Sequence, residues 1–172
     1  MEIKPWLLAM DLDGTVWDNL NISGIMPPYE KINDDKIRGE KTIVTLYREA
    51  VNFIQWSKEN GAIITSLSWN KKLHASEALE KFGISDLFDY NSTDVTPDKD
   101  QRLLRLLNSL SEKGIHIDVN RIVYIDDRDL HMDNIRKNIG DIIFINIWKT
   151  TKDYDEAKKI IMDRVLTEPE IQ

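Results

Sequence analysis

Apolar residues along the chain gather into two kinds of segment. Some are short and unbroken, as a strand covered on both faces requires. Trp6 to Met10 is the first of these, Ala62 to Thr65 the second, and Arg121 to Ile125 another. Leu87 to Tyr90 and the stretch "DIIFINIW" from Asp141 to Trp148 complete a set of expected strands. Other segments space their apolar residues for one face of a helix. Leu46 to Asn60 does so through Val51, Phe53, Ile54 and Trp56, and Asn60-Gly61 ends it. Asn70 to Phe82 is a second helix, closed by Gly83. A third opens with Thr96 as N-cap and Pro97 in the first helical position, and its leucines recur to Leu110. His131 to Asn138 and Tyr154 to Val165 follow, and the end of the chain from about residue 167 is expected to fray.

Between Asp18 and Thr42 neither period holds. Gly24, Pro27-Pro28, Asn33 to Asp35 and Gly39 are turn chemistry, flanked by "YEKIN" and "KTIVTL". A small hairpin flap is expected within residues 17–45. The rest alternates strand with helix, which implies crossover connections and a mostly parallel sheet. The expected architecture is a single α/β domain over residues 1–172, with a Rossmann-like core, a central five-stranded sheet flanked by helices, and no large cap domain.

Composition narrows the classes. The 172 residues carry a formal net charge of −7 and no cysteine, which excludes disulfides and thiolate metal sites. That acidity weighs against a nucleic-acid partner, which needs clustered Lys and Arg. No apolar run approaches the roughly 18 residues that span a bilayer, and the N-terminus lacks a signal pattern. The expectation is a cytoplasmic protein with no membrane partner, a monomer or small homo-oligomer.

In parallel sheets ligands sit at the carboxyl ends of the strands. Asp11 and Asp13 follow the first strand, Thr65, Ser66 and Ser68 the second, and Asp126 and Asp127 the fourth. Lys99 lies near the start of the helix after the third, at a helix end unfavourable for a cation unless an anion is near. Convergent acids call for a divalent cation, and an all-oxygen set favours a hard ion, most commonly Mg2+. A metal, a lysine and a hydroxyl together suit a phosphoryl group, and a carboxylate can attack phosphorus.

The stretch "DLDGTVW" resembles the first motif of the haloacid dehalogenase (HAD) superfamily. Ser66, Lys99 and the acids of "YIDD" match its other three motifs in order. "AIITS", "SDLFDY", "PDK" and "IVYIDDR" extend the resemblance to the magnesium-dependent phosphatase group within it, over the chain to about Trp148. That group tends to carry Arg after its motif-two serine, where this chain has Leu67.

The resemblance implies that Asp11 is nucleophile and metal ligand, and that Asp13 is general acid and base, binding metal through its backbone carbonyl. Leu12, Ser66 and Lys99 would hold the phosphate, with Thr65 and Ser68 as rivals to Ser66. Asp127 would touch the metal and Asp126 orient the site, or the reverse. Gly14 would allow the sharp turn and Thr15 hold it. His131 is near the site in sequence and is expected at the surface. The implied activity is phosphomonoester hydrolysis through an aspartyl-phosphate. A receiver-like signalling domain is the rival from another class, although its motifs run in a different order, and a phosphomutase is the rival within the superfamily. With only a small flap the site should be open, admitting a phosphorylated small molecule or a phosphopeptide. Trp17, Tyr29 and Trp69 are candidates to pack against an aromatic leaving group.

Overall fold

The central strand is built from the first apolar run. In a computed structural model, which describes residues 4–167, β1 (Trp6–Met10) is buried along its whole length. Its side chains alternate between two cores. Trp6, Leu8 and Met10 enter one, while Leu7 and Ala9 enter the other. That split is the period-2 geometry of a strand covered on both faces.

The chain then makes β2 (Glu30–Asn33), β3 (Lys36–Gly39) and β4 (Thr42–Thr45), an antiparallel three-stranded sheet. The expected hairpin therefore has a third strand. "KIRG" lies where the turn residues pointed to a loop, and it is the middle strand, with Ile37 buried on its inner face. This sheet is fastened to the core. Asp18 and Thr45 exchange backbone and side-chain hydrogen bonds of 2.9 and 2.8 Å. Ile37 and Val44 join the same apolar cluster as Trp17, Ile22 and Tyr29.

After α1 (Arg48–Glu59) come β5 (Ala62–Trp69), α2 (Lys72–Lys81), β6 (Tyr90–Asp94) and α3 (Lys99–Glu112). The order closes with β7 (Ile122–Asp126), α4 (Met132–Asn138), β8 (Ile143–Asn146) and α5 (Tyr154–Arg164). The five-stranded sheet runs β6-β5-β1-β7-β8, with every pairing parallel. α1 and α5 supply one core, through Phe53, Ile54, Ala157 and Ile161. α3 and α4 supply the other, through Leu103, Met132 and Ile135.

Three boundaries differ from the sequence expectation. β5 continues past Thr65 to Trp69, because Leu67 is buried in the core while the serines beside it stay in the sheet. The third strand is Tyr90–Asp94; of the stretch expected there, Leu87 ends a 3-10 turn, Ser85–Leu87, and only Tyr90 enters the strand. β6 is an edge strand of polar residues, so hydrophobicity does not mark it. The α3 helix begins at Lys99, and Thr96 hydrogen-bonds Asp98 at 2.5 Å instead of capping it. The expected frayed end, beyond residue 167, lies outside the described residues.

From β1 the chain winds to β5 and β6 on one side and to β7 and β8 on the other. The reversal leaves a crevice beyond the carboxyl ends of β1 and β7, the place where such sheets bind ligands.

Candidate active site

The crevice is where the acids meet. Met10 pairs with Ile125, so Asp11 and Asp126 leave neighbouring strands at one level. Between them stands Lys99, fully buried although it is a lysine. Its Nζ is 2.9 Å from Asp11 Oδ1 and 3.0 Å from Asp126 Oδ2, and it donates to the Tyr124 hydroxyl at 3.2 Å. Buried charges persist only when paired and hydrogen-bonded. Asp126 is held further by the Tyr124 O–H and by the Arg128 N–H at 3.0 Å.

Burial opposes the Asp126 charge, but Lys99, Tyr124 and Arg128 outweigh it, so its pKa falls below the ordinary value. Asp11 goes the other way. Burial pushes its carboxyl well up, Lys99 pulls it back, and the Asp126 carboxylate adds to the rise. Asp127 is also raised, first by burial and then by Asp126.

The turn after Asp11 is tightly built. Gly14 has φ +68°, and a Cβ there would stand 2.4 Å from Asp127 Oδ2. Glycine is required on both counts. Thr15 donates to Asp11 Oδ2 at 3.0 Å and reaches Asp127 Oδ1 at 3.5 Å. From behind, Trp148 Nε1 donates to Gly14 O at 2.9 Å and the Tyr154 hydroxyl to Thr15 O at 2.7 Å. The Leu12 side chain is fully buried, so only its backbone faces any ligand.

Asp13 occupies a different environment. Its Oδ1 accepts from Trp17 Nε1 at 2.8 Å and Ile22 N at 3.2 Å, and its Oδ2 from Asn70 Nδ2 at 2.9 Å. Every one of these donors is neutral. Burial raises the Asp13 pKa, and the donors only partly offset it.

Asn70, absent from the sequence-derived set, links Asp13 to Ser68. Its amide also donates to Ser68 Oγ at 2.7 Å. Ser66 makes a different connection. Its hydroxyl donates to Asn91 Oδ1 at 3.2 Å and accepts from Ser92 N at 3.0 Å, which turns it toward β6. Because Met10 pairs with Ser66, Ser66 also lies one residue below the level of Asp11. Thr65 donates to the carbonyl of Ser66. Tyr124 and Arg102 were missed as well. Arg102 donates to the carbonyls of Ser68 and Ser92, both at 2.9 Å, and so ties the ends of β5 and β6 together.

Two aromatic candidates for the entrance are not there. Trp17 is fully buried and stacks on Phe82, because its indole is committed to Asp13. Tyr29 is 3% exposed, with its hydroxyl on Ile25 O at 2.8 Å. Trp69 alone of the three is at the surface, 42% exposed. His131, expected at the surface, is buried.

Asp11, Asp126 and Asp127 can each offer an oxygen within 4.8 Å of the others. The all-carboxylate donor set, and a raised Asp127 that Thr15 reaches only through a long contact, fit a hard divalent ion. A separate cleft of about 470 Å3, lined by Asp35, Arg48 and Phe82 among others, shares no residue with this cluster.

No family model matches the sequence, and no curated protein matches it either. Solved structures do. The HAD domain of the Legionella pneumophila effector protein Lem4 superposes with a TM-score of 0.62, at 15% identity over 95% of each chain. The chain has the haloacid dehalogenase fold. The N-terminal part of a Bacteroides fragilis protein, containing a phosphatase domain and complexed with Mg, matches 99% of this chain at TM-score 0.60 and 16% identity, and the chain spans 42% of that solved chain. A haloacid dehalogenase-like hydrolase from Streptococcus pneumoniae matches 83% of this chain and 84% of its own, at TM-score 0.56 and 13% identity. On the HAD fold the clustered acids stand at the carboxyl edge of the sheet, where Asp11 ends the first strand and Asp126-Asp127 the fourth of the parallel set. Among the described residues no helix is long and apolar enough to cross a membrane.

Proposed function

We propose that this chain is a magnesium-dependent phosphomonoester hydrolase working through an aspartyl-phosphate on Asp11. The observation that carries the reading is the unequal treatment of two acids two residues apart. Asp11 is held by Lys99 and Thr15 beside Asp126 and Asp127, while Asp13 is held only by neutral donors and binds its proton more tightly than usual. One acid is placed to attack and the other to deliver a proton.

The Asp11 carboxylate attacks phosphorus, and the bond from phosphorus to the ester oxygen breaks. Asp13 gives its proton to that departing oxygen. Asp13, now ionised, takes a proton from water as the water attacks phosphorus. Phosphate leaves and the Asp11 carboxylate is restored. Lys99 offsets negative charge on the phosphoryl oxygens and keeps Asp126 ionised. We assign the phosphate-binding hydroxyl to Ser68, not Ser66. Ser68 accepts from Asn70 and keeps its own proton to donate, whereas Ser66 donates toward β6.

Asp11 and Asp127 would hold Mg2+, with Asp126 orienting the site from its bonds to Lys99, Tyr124 and Arg128. When bound, the ion neutralises the acid cluster and inverts the upward pull on Asp11 and Asp127. The fold shared with a Mg-bound phosphatase domain supports this reading. The finer likeness to the magnesium-dependent phosphatase group rests on the motifs alone. With β2–β4 as the sole insertion before α1, the site stays open to bulky phosphomonoesters, and Trp69 is the aromatic surface beside it.

Release of p-nitrophenolate and phosphate from p-nitrophenyl phosphate, with and without excess chelator, tests the proposal. We expect repeated turnover with Mg2+ and loss of activity in chelator. A single-turnover phosphorylation without phosphate release would favour a receiver-like domain, and full activity in chelator would remove the metal.

A further inference from the structure

Among the described residues, two buried side-chain nitrogens have no hydrogen-bond partner, Arg102 Nε and His131 Nε2. Arg102 is accounted for by its bonds to Ser68 and Ser92 and by Asp98, 3.5 Å from Nε. His131 has no such account. It is 4% exposed and lies on the loop that leads from Asp127 into α4. Its ring meets the Trp69 ring edge-on, with centroids 6.3 Å apart at 80°. Trp69 sits between Ser68 and Asn70 in sequence, and its own indole N–H is fixed on Val95 O at 2.9 Å. His131 is thus gripped between the loop that carries the metal-binding acids and the end of the strand that carries Ser68.

The groups around it set its charge. Burial first, then Lys99, Arg128 and Arg102, lower its pKa to about 4 against the pull of Asp126. At neutral pH the imidazole is uncharged, with one N–H donor and one acceptor nitrogen. A buried polar atom left unpaired opposes folding, whereas an apolar side chain of the same shape would not. Phenylalanine would fill the place against Trp69. A histidine there gains only if something else supplies the missing partner.

We propose that His131 is a substrate-binding residue, its Nε2–H donating to an oxygen of the phosphoryl group that Lys99 and Ser68 hold, with Trp69 as the wall that fixes the ring. This rests on the phosphatase reading above. It adds an uncharged donor to the pocket and ties phosphate recognition to the loop that leaves β7 after Asp126 and bears Asp127.

Two variants and one spectroscopic measurement test it. His131→Phe keeps the packing on Trp69 and removes the donor. His131→Gln keeps an N–H in a similar place. With p-nitrophenyl phosphate, His131→Phe should lose about ten- to a hundredfold in kcat/KM, the range for a lost hydrogen bond to a charged group. Competitive inhibition by inorganic phosphate should weaken with it, while Tm stays equal to wild type or rises. His131→Gln should recover most of the loss. In the full chain labelled with 15N-histidine, inorganic phosphate with Mg2+ should shift the His131 Nε2 resonance and leave His74 and His116 unmoved.

Wild-type kcat/KM and phosphate inhibition in His131→Phe would overturn the proposal while leaving the phosphatase reading intact. So would a fall in Tm and activity together with no phosphate-dependent shift at His131. If the wild type hydrolyses no phosphomonoester, the phosphatase reading fails, and the resonance still decides. A His131 shift on adding phosphate keeps the binding role, and an unmoved resonance ends it.

Discussion

The two walls of the crevice hold carboxylates by opposite means. On the β7 side Asp126 is bound by a cation, a phenol and a backbone N–H, and its proton affinity falls. On the insertion side Asp13 is bound by an indole, an amide and a backbone N–H, and its proton affinity rises. Each acid has a comparable set of donors, and both are largely withdrawn from water. Lys99 contacts Asp126 directly and acts on Asp13 only from a distance. At Asp126 the lysine, the Tyr124 phenol and the Arg128 N–H together outweigh burial, whereas the three neutral donors of Asp13 only soften it. One fold thereby lowers the proton affinity of one acid and raises that of another, with Asp11 between them in the crevice.

The largest break comes from Asp11 itself. Asp11→Asn keeps the shape and the contact with Lys99 but removes the proposed nucleophile. We expect kcat/KM to fall by about a thousandfold or more, equivalent to ~4 kcal/mol of transition-state stabilisation. The melting temperature should stay close to wild type. Residual activity within tenfold of wild type would dismiss the covalent route.

Lys99→Met removes the charge that separates the two walls. It keeps the aliphatic stem and leaves Asp11 and Asp126 facing each other without a cation. Breaking a buried pair in this way costs about 3–5 kcal/mol, and loss of the proposed phosphate contact would cost about a hundredfold in kcat. Thermal melts in chelator should show the destabilisation, and a second change, Asp126→Asn, should restore part of it. A single variant as stable as wild type would mean that Lys99 does not carry the contrast.

What the sequence disclosed of this arrangement follows from what is local. β1 is legible because five apolar residues in succession, too few for a buried helix, fit a strand covered on both faces. The acid pairs are legible because acids directly after such strands have few other places to be. β6 and β3 are not, since an edge strand of "YNSTD" and a strand of "KIRG" owe their form to pairing partners and not to their own apolar content. The choice between Ser66 and Ser68 depends on register, and a shift of two residues along one face of a strand leaves no trace in composition. The burial of His131, Trp17 and Tyr29 is tertiary throughout. A histidine in a polar loop resembles a surface residue until Trp69 closes over it. Asn70 did have a signal, as a polar residue at the end of a strand full of serines. Tyr124 had one too, as the single hydroxyl in an apolar strand two residues before Asp126.

Asp13→Asn tests the other wall. The first step needs little acid help with p-nitrophenolate as leaving group, while hydrolysis of the acyl-phosphate still needs a base. A burst of p-nitrophenolate should therefore precede a steady state slowed about a hundredfold. Stability gives an independent reading. A folded-state pKa raised above the ordinary 3.8 means that Asp13 favours the fold when protonated and loses that contribution as pH rises through the raised value. The variant cannot ionise, so it should melt higher than wild type at neutral pH, and the gap should close as pH falls toward that ordinary value. An unchanged gap across the range would remove the burial argument for Asp13.

The smallest expected effect is the most direct test of how neutral donors act. Trp17→Phe retains a ring in the buried place that stacks on Phe82 and deletes one donor to Asp13 Oδ1, which keeps the Ile22 N–H. The Trp17 bond is the strongest of the influences lowering the Asp13 pKa against burial, so its loss raises that pKa further. In the proposed mechanism Asp13 must be protonated to act on the leaving group. The alkaline limb of kcat/KM for a poor leaving group, such as an alkyl phosphate, should move to higher pH as a result. At the optimum, activity should stay within about fivefold, since one hydrogen bond of roughly 1 kcal/mol is lost from a group that retains others. With p-nitrophenyl phosphate, which needs less acid help, the limb should move less. A limb that shifts equally for both substrates would locate the titration elsewhere. A limb that stays fixed for the alkyl ester would show that the indole positions Asp13 without tuning its proton.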